Sequence, residues 1–525
     1  MAVVTIARNA VVAQLRDPTK EVKNFVNNLL SYQVEGGLGF SGTASFFSIT
    51  KNTYPAGFAY LVKSELEKIG HTVYEVFKPH AEPLGPENPI VDEFGNDNPN
   101  YDYQMKALRQ VEKHGAGIIR VATGGGKSKI AKLIMARYRR MTLFLTTRGI
   151  LLYQMDDQLQ EIGLNTGQIG DGEMKFVRGV NLGMVQTLVQ ALEVPDINAE
   201  IRAVVKSQHL SKKGNAEMTR EQIKELAQIK FDRKTKRRDA IIKFLSLVEV
   251  VIGEEAHEAG GTSYYEILRH CKNATIRVAL TATPFMKDSA ADNMRLMAAF
   301  GPILIDIPES LLIERGILAK PYFKFRDIEA PKGLHKSSPF ERAYTLGYVK
   351  ETSPLHKAMA EDALMAKTYG LPVLTLVART EAGDNILDLY SRLGLKGVFL
   401  RGDDDQKVRK AKLAELAAGT IDFVIGTKIL DVGVDCPAIG LVQLAGGMKA
   451  EVELRQRIGR GLRYKKKGPN VTFIVDYSIN LNNTLRDHAR KREGIVRATP
   501  GFVEGILGAN DNLPWEIFER KAIAA

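Results

Sequence analysis

Cysteine is nearly absent. Cys271 and Cys436 are the two thiols in 525 residues, and their spacing fits neither a zinc site nor a disulfide framework. That scarcity points to a reducing compartment. No apolar run approaches the roughly 18 residues of a membrane span, and the opening stretch MAVVTIARNA lacks the apolar core of a secretory signal. We therefore expect no membrane partner and a cytoplasmic location. Acidic residues are in deficit: 61 Asp and Glu against 73 Lys and Arg leave a formal charge of +12. Such an excess suits a polyanionic partner, most simply nucleic acid, though a merely basic soluble enzyme carries it too. An apolar content of 44% and a charged content of 26% are ordinary for a folded chain, which removes disorder as the default.

The length exceeds one core and predicts two large domains with a smaller piece. Residues 1–80 alternate short β-rich runs (VVTIA, ASFFSIT, HTVYEVF) with helical stretches, one running from Pro55 to Gly70, which reads as a small α+β domain. The segment HAEPLGPENPIVDEFGNDNPN makes 81–100 a linker. Over 101–315 the runs GIIRVA, MTLFLTT, VNLGMVQ, VEVVIG and TIRVALTA alternate with helical patterns. Over 316–525 the runs PVLTLVA, GVFL, DFVIGT, GLVQLA and VTFIVD do the same, followed by a helical tail. Strands separated by helices imply parallel sheets covered on both faces, so the fold class is α/β with two such domains in tandem.

Chemistry enters at GIIRVATGGGKSKIAKL, an apolar strand that passes through three glycines into a helix. Gly124, Gly125 and Gly126, after Thr123, allow backbone N–H groups to approach phosphate oxygens at a helix N-terminus. Lys127 would reach the β and γ phosphates of ATP, and the Ser128 hydroxyl would meet Mg²⁺. The full GxxxxGK[ST] pattern is not met, since Val121 stands where its first glycine belongs. A second cluster, IGEEAHE at 252–258, places Glu254 and Glu255 where an apolar strand ends, a common position for metal and phosphate chemistry.

In order along residues 100–495, these motifs resemble superfamily 2 helicases and translocases of the DExH type. The resemblance implies two RecA-like domains, ATP and Mg²⁺ as cofactors, and adenine recognition by Gln104. It makes Glu254 a metal ligand with Ser128, Glu255 the residue that polarises the attacking water, and His257, Thr281 and Thr283 of EEAH and LTATP the coupling residues. Thr147 and Arg148 in TTRGILLYQ, Gln186 and Thr187 in GMVQTL, Arg379 in VLTLVART and Thr427 in GTKILDVGVDCP would touch nucleic acid. Gly433 and Asp435 would lie at the nucleotide, with Gln456, Arg460 and Arg463 of QRIGRGLR.

Phosphoryl transfer needs charge neutralisation and positioning more than covalent help. Lys127 and Mg²⁺ supply it from the first domain. Arg460 and Arg463, three apart and hence expected on one helix face, supply guanidinium groups from the second. Contact with nucleic acid through phosphates would be indifferent to base sequence.

Between Thr187 and Glu254 the segment MTREQIKELAQIKFDRKTKRRDAIIKFL reads as helix, with a capping-box pattern at Thr219 and Gln222. We expect a helical insertion at about 195–245 in the first motor domain; its basic run KFDRKTKRR suits a duplex or junction, or a solvated hairpin. The layout of the front unit and of the tail VTFIVDYSINLNNTLRDHARKREGI is similar to phage UvsW-type recombination helicases. That implies a bacterial or phage-infected cytoplasm and work on duplex or branched DNA in recombination, repair or replication, with RNA met in hybrids. An RNA helicase, a restriction-type motor subunit and a non-hydrolysing nucleic-acid clamp are the alternatives.

Overall fold

The computed structural model describes the chain except residues 1, 36–40, 171, 211–217, 258–259, 286–288, 403, 428–437, 448–450, 466 and 520–525. The chain divides into two compact units, 1–120 with 127–306 and 121–126 with 307–525.

The first unit is built on an eight-stranded sheet ordered Glu173–Met174, Thr166–Gly170, Val180–Met184, Thr142–Thr146, Val250–Glu254, Ile276–Thr281, Ala116–Val121 and Ile303–Ile307. From Thr166–Gly170 through Ala116–Val121 all neighbours are parallel. The strands Thr142–Thr146, Val250–Glu254 and Ile276–Thr281 are buried at every position, because helices cover both faces; this is why they read as mainly apolar runs, with Arg277 the charged residue inside the last. Parallel pairing gathers their carboxyl ends on one edge, where Thr147, Glu255 and Thr283 follow.

The N-terminal residues form a separate four-stranded sheet ordered Thr53–Pro55, Val12–Arg16, Val3–Arg8 and Thr72–Phe77. Val22 and Val26 of helix Lys20–Leu29, with Val62 and Leu66 of helix Ala59–Lys68, pack on Ile6 and Leu15. Ala298 of helix Ala290–Phe300 joins the same core, so the small sheet unit is seated on the element that follows LTATP. Phe46 also meets Tyr265 edge-on at 6.2 Å.

Residues 78–98 contain no helix or strand, yet they are held down. Gly85 N–H donates to the Arg137 carbonyl at 2.8 Å, and Lys129 Nζ donates to Asp92 Oδ1 at 3.0 Å and to the Gly95 carbonyl at 2.6 Å. Pro, Gly and Asn forbid regular structure there without forbidding packing. The insertion consists of helices Ile197–Leu210 and Arg220–Leu247, the second starting from a complete Thr219–Gln222 capping box.

The second unit carries a wholly parallel six-stranded sheet ordered Lys320–Asp327, Val471–Ser478, Leu441–Leu444, Val373–Leu376, Phe423–Gly426 and Gly397–Leu400. Its edge strand KPYFKFRD has no sequence signal of the buried kind, since charged residues interrupt it and only one strand pairs along its length, with a single bridge from Phe323 to Ile506 on the other edge. The tail helix Asn483–Arg497 is fixed by Arg492, whose Nε and Nη2 donate to the two Asp476 oxygens at 2.7 Å each.

Candidate nucleotide site and nucleic-acid surface

Strand Ala116–Val121 leads into Gly124 and Gly126 at φ of 91° and 83°, left-handed values that an L side chain resists. Helix Lys127–Tyr138 starts at once, so its unsatisfied N–H groups face the loop. Lys127 is buried and its ammonium lies 3.0 Å from Glu255 Oε1. The other Glu255 oxygen is buried, makes no hydrogen bond among the described residues, and lies 3.5 Å from His257 Nδ1. Burial works against the Glu255 charge, but Lys127 outweighs it, with His257 and Arg148 adding, and the carboxyl is held below the usual glutamate range. Glu255 itself sits at φ 43°, a strained conformation for a non-glycine residue and one that clusters at functional sites.

Glu254 ends the strand, buried, and its carbonyl accepts from Tyr264 Oη at 3.0 Å. His257 Nδ1 and Thr281 Oγ1 are 2.7 Å apart, and Thr281 Oγ1 also accepts from the Thr283 N–H at 3.2 Å. The hydroxyl proton of Thr281 is then available to His257, which ties EEAH to LTATP across neighbouring strands. The Thr283 hydroxyl is buried without a hydrogen-bond partner among the described residues.

These observations fit a nucleotide phosphate with its cation. A lysine, two carboxylates and an uncommitted hydroxyl gather at the strand ends, and one carboxylate oxygen remains open to accept from water. Lys127 and Ser128 would hold phosphate and metal with Glu254, while Glu255 would accept from water.

Gln104 is buried on helix Asp102–His114 and lines a cavity of about 380 Å³ with Tyr101, Phe94, Asp92 and Lys129. Reasoning from the sequence did not place Phe94 and Asp92 beside Gln104 because their segment read only as a linker; the aromatic within it was the available signal.

In the second unit, helix Glu451–Gly461 carries Gln456 and Arg460, whose side chains lie outside the described set. Arg463 departs from expectation. The helix ends at Gly461, whose carbonyl accepts from Lys465 Nζ and Thr472 Oγ1, and Arg463 stands in a β-bridge with Leu318. The two arginines therefore do not share a helix face. Loop residues 121–126 cluster with this unit: a Cβ on Gly459 would fall 2.9 Å from Thr123, and one on Gly124 would fall 3.4 Å from an Arg463 Nη. Gly125 is close-packed as well, a Cβ there falling 2.6 Å from Val121. Gly433 and Asp435 lie outside the described residues.

A family model described as the type III restriction enzyme res subunit matches residues 99–286, and one described as the helicase conserved C-terminal domain matches 357–465. The chain belongs to the superfamily 2 helicases. Its fold is the expected pair of RecA-like parallel-sheet domains, and helicases of this superfamily use ATP with Mg²⁺ and act on nucleic acid. The helicase is 23% identical over 432 residues to putative helicase 22 of Sulfolobus islandicus filamentous virus, covering 77% of this chain and 68% of the relative. It is 21% identical over 421 residues to the DNA 3'-5' helicase XPB of Kineococcus radiotolerans, covering 78% of this chain and 64% of that protein. The chain thus spans about two thirds of the length of these relatives. Among solved structures, DNA-bound MrfA, a DUF1998 helicase, matches with a TM-score of 0.50 at 14% identity, covering 80% of this chain and 53% of its own. T4 UvsW matches with a TM-score of 0.42 at 16% identity, covering 96% of this chain and 98% of its own.

The nucleic-acid candidates of this helicase fall into two groups. Thr147, Arg148, Gln186 and Thr187 follow adjacent parallel strands, and Gln186 Nε2 donates to the Thr147 carbonyl at 3.5 Å. In the second unit, Arg379 lies past strand Val373–Leu376 as the N-cap of helix Thr380–Arg392, ion-paired with Glu341 and stacked over Tyr344 at 4.9 Å; Thr427 follows strand Phe423–Gly426. No helix among the described residues is long and apolar enough to cross a membrane.

Proposed function

We propose that the protein is an ATP-dependent DNA helicase or translocase that unwinds or remodels branched DNA (junctions, forks and R-loops) in recombination, repair or replication, in the cytoplasm of a bacterium or phage-infected host. The observation that carries the motor reading is the Lys127–Glu255 pair at the glycine loop, joined through His257 to Thr281. Bound Mg²⁺ supplies charge neutralisation at the β and γ phosphates. Lys127 holds the phosphate, Glu255 orients and takes a proton from the attacking water, and Glu254 keeps the charge of the family's aspartate at the cost of one methylene. A contact through the metal's water shell tolerates that extra reach. Arg460 and Arg463 stabilise the transferring phosphoryl group. Tyr101, Phe94 and Gln104 receive the adenine. Support for branched DNA comes from the positive charge and the UvsW-type layout of front unit and tail in the sequence.

The test is ATP turnover compared on branched DNA, duplex DNA, single strands and RNA. Branched DNA should stimulate most, Lys127→Ala should abolish turnover, and Arg460→Ala should keep nucleotide binding while slowing hydrolysis. Parental turnover by Arg460→Ala would remove that arginine from the mechanism; no turnover by the parent on any nucleic acid would leave the clamp.

A further inference from the structure

The insertion helix Arg220–Leu247 sorts its cations into two sets. Lys234 is ion-paired with the buried Glu200 of helix Ile197–Leu210, and Arg238 Nε donates at 3.1 Å to the Leu192 carbonyl. Leu192 ends helix Val185–Leu192, so Arg238 meets the negative end of that helix dipole. Farther along, Phe244 stacks on Phe176 with ring centroids 4.6 Å apart. These interactions pin the insertion helix to the body of the first unit.

Lys230, Arg233, Lys236 and Arg237 take no part in these contacts. At i, i+3, i+6 and i+7 they share one arc of an α-helix, since each residue turns about 100°. Arg233, Lys236 and Arg237 are exposed, and none of the four has an ion pair or side-chain hydrogen bond among the described residues. Acids were available: Asp232 lies four residues before Lys236, yet it accepts from Gln228 Nε2 at 2.9 Å. Like charges at these spacings disfavour a helix. The capping box and the two staples hold it in spite of them.

We infer that this arc is an additional binding surface for the phosphate backbone of duplex nucleic acid, separate from the residues that follow the motor strands. The inference rests on the nucleic-acid reading above and names a surface that reading does not include. Two observations select the occupant. The cations are free and clustered, which matches a duplex carrying one negative charge per roughly 1.7 Å of axis. The run's aromatic, Phe231, is half-buried and lies off the cationic arc, so the stacking platform on which single strands depend is missing from it. The location agrees: Arg238 anchors the run to the far end of the same helix that begins at Val185 with Gln186 and Thr187.

The experiment is a salt titration of duplex binding by the full chain, parent against the triple variant Arg233→Ala, Lys236→Ala, Arg237→Ala. The triple variant should bind more weakly, with a log–log slope shallower by about 0.9 for each phosphate that is no longer neutralised, and should keep the parental melting midpoint. The staple variant Lys234→Ala, Arg238→Ala should instead lower the melting midpoint. A parental slope in the folded triple variant overturns the inference. So does an equal loss of affinity for single strands, or a loss confined to an acidic protein partner. Failure of the motor reading shows separately, as undiminished ATP turnover in Lys127→Ala; a parent that binds no duplex at any salt sinks both.

Discussion

Each unit of the molecule buries an ion pair, and the two pairs are built for different purposes. Arg492 and Asp476 are closed on each other: both side chains are almost fully buried, at 5% and 6% exposure, with two parallel hydrogen bonds of 2.7 Å. Asp476 outweighs burial and holds the guanidinium above its usual pKa. Lys127 and Glu255 share a single 3.0 Å contact, the glutamate is at 19% exposure, its backbone is in the left-handed region, and its second oxygen makes no hydrogen bond among the described residues. The Arg492 fork takes both oxygens of one carboxylate and also meets the Tyr348 hydroxyl, so the pair is committed to the fold. A point charge against one oxygen of a strained glutamate leaves capacity for a phosphate and a water. Under the motor reading proposed above, satisfaction distinguishes the structural pair and remaining capacity the functional one.

The comparison breaks most sharply if one partner of each pair is removed. Arg492→Ala strands a buried Asp476 and should destabilise the second unit by about 3–5 kcal/mol, the usual cost of breaking a buried pair, read as a large fall in denaturation midpoint. Glu255→Gln should leave the midpoint near the parental value, bind ATP and nucleic acid, and fail to turn over. If Glu255→Gln melts as early as Arg492→Ala, both pairs are structural.

A one-methylene change sharpens the contrast. Asp476→Glu pushes a longer side chain into a closed fork and should cost about 1–3 kcal/mol, as overpacking does. Glu254→Asp should retain most ATP turnover, because under the proposed mechanism Glu254 would meet bound Mg²⁺ through water, which would absorb the change. Equal tolerance in thermal melts of Asp476→Glu would show that the Arg492 fork is looser than its geometry.

The smallest effect is a pH dependence in the second unit. Burial holds His356 below the ordinary histidine pKa of 6.5, against the opposing hydrogen bond from its Nε2 to the Tyr348 carbonyl. Below that value the unfolded chain takes up a proton that the folded unit refuses, so stability falls as pH drops from 6.5 towards the lowered folded value. His356→Gln, which keeps a donor and loses the titration, should flatten the melting midpoint over that range. An unchanged pH profile would remove His356 as its source; the other histidines held low by burial, His80, His114 and His270, lie in the first unit.

Much of this was legible before the fold was known. The runs MTLFLTT, VEVVIG and TIRVALTA announce buried parallel strands because burial on both faces favours mainly apolar side chains. TGGGKS announces a phosphate turn because glycine alone adopts its dihedrals freely. The edge strand KPYFKFRD was not legible, since half-covered strands tolerate charge, and Phe94 was hidden within a segment whose Pro and Gly content spoke only about secondary structure.

The sequence by itself determined the order of the motifs, the helices with their caps and the excess of positive charge, all of which depend on residues within a few positions of one another. Tertiary structure decided which charges are spoken for. It placed Asp476 against Arg492 sixteen residues away, His257 against Thr281 twenty-four away, and Lys234 against Glu200 thirty-four away. It also ended the QRIGRGLR helix at Gly461 and so took Arg463 off the face it was expected to share. Periodicity and backbone sterics act over one or two turns of chain. Whether a cation is a staple, a catalyst or free for a partner depends on which carboxylate or carbonyl lies within about 4 Å of it, and only the packed chain sets that distance.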